Sequence, residues 1–182
     1  MKTYTLILFA LVIYSCSSPN EDSRIRILNY SVGDSLVNNY DTIKEMDKPS
    51  IYARDTRDPR IEFSLIDKYI SKIRYKNLTN KEIEDFTIEI TEKLKQKPKY
   101  QKDIKASGVI FYGEDYKWID SISKDHISIF IPMKNGKKLK GTLSIYNEKI
   151  YKNLIRKFDP EYYADSIRMQ ELNKNRSLTK PQ

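Results

Sequence analysis

The chain is 182 residues long, with 33 Lys and Arg against 25 Asp and Glu, one histidine and one cysteine. A lone cysteine excludes an internal disulfide, and one cysteine with one histidine excludes a usual zinc site. Hydrophobic content of 39%, with 12% aromatic residues, excludes a disordered stalk and fits one ordinary core.

The chain opens with Met1-Lys2, runs through the apolar stretch Tyr4–Tyr14, and breaks at Ser15-Cys16-Ser17-Ser18. As a helix that stretch of about 11 residues rises roughly 16 Å, against the ~30 Å of a bilayer core, so it is too short to span alone. A charged start, an apolar core and a small residue before the break match a secretory signal. The segment resembles the signal peptide of a bacterial lipoprotein, with Ile13-Tyr14-Ser15-Cys16 as a lipobox-type sequence, although Tyr14 is bulky where Ala or Ser is usual. The resemblance implies cleavage after residue 15, a diacylglyceryl group on the Cys16 thiol and an acylated amine. It implies a membrane partner through that lipid and a place in the bacterial cell envelope. The resemblance covers the first 20 residues and says nothing of the domain behind them.

Residues 16–23 are small, polar and acidic, and read as a lipidated, flexible tether. Residues 24–172 are expected to form a single α+β domain, with a disordered tail over 173–182. Arg24–Val32, with Ile25, Ile27, Leu28, Tyr30 and Val32, reads as a first strand, and Gly33–Ser50 as irregular. Asp58 followed by Pro59 reads as a helix start. Ile61, Leu65, Ile66, Tyr69, Ile70 and Ile73 then recur at three- and four-residue steps, the mark of one apolar helix face. Thr79 and Glu82 form a capping-box pattern for a second helix, buried through Ile83, Phe86, Ile90 and Leu94 and stopped by Pro98.

From Ala106 the period becomes two. Val109–Tyr112, Tyr116–Ile119, Ile127–Ile131 and the row Leu139, Leu143, Ile145 read as four strands, with turns at Gly113-Glu114-Asp115 and Asn135-Gly136. Asn147 is expected to cap a helix buried through Ile150, Leu154, Ile155 and Phe158. Asp159-Pro160 starts another, with Tyr163, Ile167 and Leu172 on one side. The expected fold is therefore an antiparallel four-strand meander packed against two preceding helices and one or two following helices.

No catalytic residue, cofactor site or metal site is assigned. His126 is the one side chain with an unperturbed pKa near neutrality, but Ser107, Ser121, Ser123 and Ser128 lie in no Gly-x-Ser-x-Gly elbow. Five glycines leave few places to cradle a phosphate. Arg54, Arg57 and Arg60, placed before the first expected helix, are the candidate contacts for an anion or a partner. Lys93, Lys95, Lys97, Lys99, Lys102 and Lys105 form a lysine-rich connector, and Tyr151, Tyr162 and Tyr163 a candidate recognition patch.

The net charge of +8 suits an anionic envelope polymer or headgroup, or an acidic protein, while an exported leader takes the chain away from nucleic acid. A solvated mixed-sign surface explains the same charge. The expected role is a lipid-anchored envelope protein acting as a binding or assembly module. An immunity or inhibitor lipoprotein acting on a toxin or hydrolase, and an enzyme acting on envelope glycan or cell wall, remain open beside it.

Overall fold

A computed structural model describes residues 24–27, 29–45, 50–106 and 108–178. The leader, Cys16 and the tether fall outside these residues. Among the described residues there are nine strands and three helices. The chain runs β1 (Tyr40–Glu45), β2 (Ser50–Asp55), β3 (Ile61–Ile66), β4 (Tyr69–Leu78), α1 (Asn80–Leu94), β5 (Lys99–Ala106) and β6 (Val109–Ile119). It continues β7 (His126–Lys134), β8 (Lys137–Lys138), β9 (Gly141–Tyr146), α2 (Glu148–Phe158) and α3 (Pro160–Leu178).

Every strand pair is antiparallel, in the order β1-β2-β3-β4-β9-β7-β6-β5, with β8 paired only to the end of β7. Two meanders are thus joined. β1–β4 forms the first and β5–β7 the second. Helix α1 carries the chain from the middle of the sheet to its far edge, and β9 returns to fill the gap between β4 and β7.

This architecture corrects the expected fold: α1 is the one helix before β5, and the stretch read as an earlier helix is the β3–β4 hairpin. Period two explains its burial better than period 3.6. Ile61, Phe63 and Leu65 point to the core from β3, and Ile73 and Tyr75 from β4. The helical spacing arose from two irregularities. Asp67, at φ 55°, and Lys68 make a two-residue hairpin loop. Ser71 is then an extra residue between the pairs Ser64↔Lys72 and Leu65↔Ile70, a β-bulge that turns Ile70 back onto the core face. Ile61, Leu65, Ile70 and Ile73 therefore keep the core face without a single continuous strand.

The Asp58-Pro59 signal serves a turn, not a helix. The Ile61 amide donates to the Asp58 carbonyl at 2.9 Å and the Arg60 amide to Asp58 Oδ1 at 3.0 Å, which starts β3. Proline suits the second position of such a turn for the same reason it suits a first helical turn: its φ is already set. The stretch read as irregular holds β1 and the start of β2. The expected first strand is a tight Ile27–Tyr30 bridge that lays Ile25, Ile27 and Val32 on the core.

Other signals hold. In α1 the Glu82 amide donates to Thr79 Oγ1 at 3.3 Å, and the Thr79 amide to Glu82 Oε2 at 2.8 Å. Ile83 and Ile90 are buried, with Phe86 and Leu94 packed at the margin. Asn135 and Gly136 both take positive φ between β7 and β8, as a two-residue hairpin turn requires. Asn147 Oδ1 accepts from the Ile150 amide at 2.9 Å, and Asp159 Oδ1 from the Tyr162 amide at 3.1 Å. Helix α3 continues to Leu178, into the stretch read as a tail.

The core lies on one face of the sheet. Ala53, Phe63, Ile73, Ile145, Ile127 and Trp118 form one transverse row, each the cross-strand partner of the next. Ile61, Tyr75, Leu143, Ile129 and Tyr116 form the adjacent row. Helix α1 and the segment with Ile25, Ile27, Val32 and Leu36 cover this face. Helix α2 lies against β3 and β4, where Tyr69 stacks on Phe158 at 5.5 Å.

Gly113, read as a turn residue, sits within β6 opposite Pro132. A Cβ there would stand 2.4 Å from the Ile131 carbonyl oxygen and 2.7 Å from the Phe130 ring. The glycine permits a close approach, not a reversal. Gly113→Ala is expected to destabilise the protein by about 1–3 kcal/mol through overpacking. Urea titration measures this, and an unchanged midpoint would contradict the packing described.

Candidate functional site

Side chains alternate across a strand, so the residues between the core rows form the sheet's other face. Cross-strand pairing places Tyr52, Ser64, Lys72, Tyr146 and His126 in one transverse row. The next row is Arg54, Glu62, Arg74, Ser144, Ser128 and Lys117. Hydroxyls and cations thus cover the middle of this face, and most of these residues are half-buried.

The charges are unevenly paired. Glu62 holds Lys76 at 2.9 Å and Arg54 at 3.7 Å, and Asp115 holds Lys117 at 2.7 Å. Arg74 lies over the Tyr52 ring at 4.9 Å, and neither Arg74 nor Lys72 has an ion pair among the described residues. Burial, and then the Arg74 charge beside it, pushes the Lys72 ammonium below its ordinary pKa. Lys72 lines a cavity of about 300 Å³ with Ser50, Ser64, Tyr52, Tyr146 and Tyr151. Ser71, in the bulge, donates its hydroxyl to the Ser64 carbonyl at 2.8 Å. Burial raises the pKa of the Tyr146 and Tyr151 phenols above the ordinary tyrosine value. The site therefore offers one desolvated ammonium, one guanidinium stacked on a ring, and several hydroxyls. Such a set recognises an anion in a polar, partly dry setting.

Sequence reasoning missed Lys72 and Arg74. The signal was present as the alternation Lys72-Ile73-Arg74-Tyr75-Lys76, which reads as a strand with a cationic side. The three candidate arginines do not converge. Arg54 lies on the polar face, bound to Glu62. Arg57 pairs with Asp55 at 3.2 Å and lies over Tyr30 at 5.5 Å. Arg60 pairs with Asp58 at 3.1 Å and Glu82 at 2.8 Å, over the Tyr75 ring at 4.6 Å.

These two clusters fasten loops to the sheet. The first ties the Ile27–Tyr30 turn to β2, and the second ties the β2–β3 loop to the start of α1. Burial opposes ionisation of Asp55, but donors from Tyr30, Arg57 and the Arg57 and Asp58 amides outweigh it and hold its carboxyl at about 2. The Thr79 amide and Arg60 likewise hold Glu82 at about 2.

His126 is exposed, 5.8 Å ring to ring from Tyr146, and accepts or donates no hydrogen bond to a serine among the described residues. Ser123 instead donates to Asp120 at 2.8 Å. Lys99, Lys102 and Lys105 lie along the edge strand β5, where charge discourages edge pairing. Tyr151, Tyr162 and Tyr163 do come together, in a cleft of about 550 Å³ between α2 and α3. Among the described residues no group of three or more potential metal ligands occurs, and no helix is long and apolar enough to cross a membrane. Cys16 lies outside the described residues. Compared with protein-family models, curated proteins and solved structures, the chain gives no match.

Both acids ionise more readily in the folded protein than at their ordinary values of 3.8 and 4.5. Their stabilisation is therefore complete above about pH 4.5 and fades as the pH falls towards 2. Asp55→Ala is expected to cost about 2 kcal/mol at neutral pH, and to flatten the acid limb of the stability curve. A pH series of urea midpoints checks both, and an acid limb identical in variant and parent would contradict the assignment.

Proposed function

We propose that this chain is a lipid-anchored protein of the bacterial cell envelope, acylated at Cys16, whose domain binds an anionic envelope polymer. The binding face is the polar side of the sheet, centred on Lys72. Two separate observations support the reading. The leader resembles that of a lipoprotein, and the domain keeps two cations, Lys72 and Arg74, without a carboxylate partner among the described residues. The second observation carries the binding claim. A desolvated ammonium that no acid among the described residues neutralises gains most from an external anion, because a charge-assisted hydrogen bond contributes about 1.5–3 kcal/mol. Tyr52, Tyr146 and Tyr151 add flat, amphipathic surface of the kind that lies against repeating polymer units. The domain acts as a binding and assembly module, holding polymer at a surface fixed by its anchor.

The two parts are tested separately. Cys16→Ser is expected to abolish fatty-acid labelling and move the protein from the membrane to the soluble fraction; a labelled, membrane-bound Cys16→Ser protein would refute acylation there. For the binding face, inorganic polyphosphate and polygalacturonate serve as phosphate and carboxylate probes. Lys72→Met with Arg74→Met is expected to weaken binding of the preferred probe about tenfold or more, the loss of one charge-assisted contact being ~1.4 kcal/mol or greater. Calorimetry at two salt concentrations measures this. Equal affinity in parent and double variant would remove the face from consideration.

A further inference from the structure

The β5–β6 hairpin extends past the body of the sheet. Strand β7 first meets β6 at Gly113↔Pro132, so Val109–Phe111 pair with β5 alone, through Ile104↔Phe111, Lys105↔Ile110 and Ala106↔Val109, and Tyr112 lies at the register shift below them. Three residue pairs at about 3.3 Å each make a projection of roughly 10 Å. Val109, Ile110, Phe111 and Tyr112 are 54, 48, 48 and 63% exposed. No charged residue occurs between Lys105 and Glu114.

Four consecutive apolar residues in a strand point alternately to its two sides. Their common exposure means that β6 presents wet apolar side chains on both sides of the tip, with Lys105 beside Ile110 on one of them. A protein laid on one side would leave the other in water. Only a medium that surrounds the tip covers both, and the projection matches the ~5–10 Å that interfacial elements sink into a bilayer.

The charges around the tip point the same way. Lys99 and Lys102 lie along β5 behind it, and Lys105 flanks it, paired across from Ile110. The β7–β8 turn stands beside it, sharing with it a cavity lined by Lys102, Tyr112, Met133 and Lys134, and adds Lys137 and Lys140. Lys138 is matched by Glu114 at 2.8 Å, and the Asp103 carboxylate is engaged by the Gly113 amide at 3.0 Å. Long lysine side chains reach outward to a charged surface while their stems stay near apolar ground. Phe111 and Tyr112 are aromatic residues of the kind favoured at headgroup depth.

We propose that the β5–β6 tip is a membrane-docking element that inserts Val109–Tyr112 into the interface of an anionic bilayer, with the surrounding lysines on the headgroups. This contact belongs to the domain's own surface and does not depend on acylation of Cys16. It would lay the domain against the bilayer instead of leaving it at the end of a tether.

The test uses the full chain with Cys16→Ser, so that an introduced thiol is unique. An environment-sensitive fluorophore is placed by Val109→Cys, in a second protein by Tyr112→Cys, and in a control by Lys149→Cys on α2. With vesicles of phosphatidylglycerol and phosphatidylcholine, emission from both tip sites is expected to shift to the blue and to be quenched by nitroxide lipid, while the control stays unchanged. Apparent affinity should fall at least tenfold on phosphatidylcholine alone. No shift at either tip site, an equal shift at the control, or equal affinity for neutral vesicles would each overturn the proposal. So would a blue shift that grows with protein concentration without vesicles, which would make the tip a contact between copies.

Discussion

Strand β9 is the constraint on which the rest depends. It is six residues long, Gly141–Tyr146, yet it pairs with β4 on one side and β7 on the other. Remove that pairing and the sheet becomes two meanders, each with an open edge. Leu143 and Ile145 are fully buried and lie in both core rows. Burial of two such side chains contributes about 1.5–3 kcal/mol each, which is large beside the net stability of a domain. The intervening residues, Ser144 and Tyr146, reach the opposite face. One short strand thus closes the core and sets the spacing of the polar rows.

The distribution of charge follows from that division. Cations near the loops are held by acids: Arg57 by Asp55, Arg60 by Asp58 and Glu82. Asn147 works similarly without charge, donating to Asp125 and the Ser123 carbonyl at 2.7 Å each while capping α2. On the open face the acids are fewer. Among the described residues, Glu62 and Asp115 occupy Lys76, Arg54 and Lys117, and leave Lys72 and Arg74 to a tyrosine ring and hydroxyls. A face with surplus cations beside a cavity is the basis of the anion-binding proposal.

Much of the local structure was legible in the sequence because its causes are local. The Thr79–Glu82 box, the Asn135-Gly136 turn, the Asn147 cap and the Asp159-Pro160 start each rest on residues within one turn of chain. The failures share another cause. Whether Asp58-Pro59 opens a helix or a turn depends on what the following apolar residues meet, and the Ser71 bulge disguises their period. Gly113 is a glycine because of the Ile131 carbonyl, 18 residues away in the chain. The insertion of β9 between β4 and β7 brings together residues about 70 positions apart, a closure that pattern reading does not resolve. The site suffered the same fate: the arginines stood out as a cluster in sequence, whereas Lys72, Tyr52 and Tyr146 meet only through three pairings across four strands.

The claim that the second face is an anion site centred on Lys72 is tested most directly by lysine side-chain NMR. The lysines are reductively methylated with ¹³C, assigned by single substitutions, and titrated with alkali in the absence and presence of inorganic polyphosphate. The account predicts that Lys72 titrates below the ordinary 10.5, from burial and its Arg74 neighbour, and that polyphosphate moves its midpoint upward more than that of any other lysine. A Lys72 resonance that titrates with the exposed lysines, or stays still while those of β5 move, would contradict it.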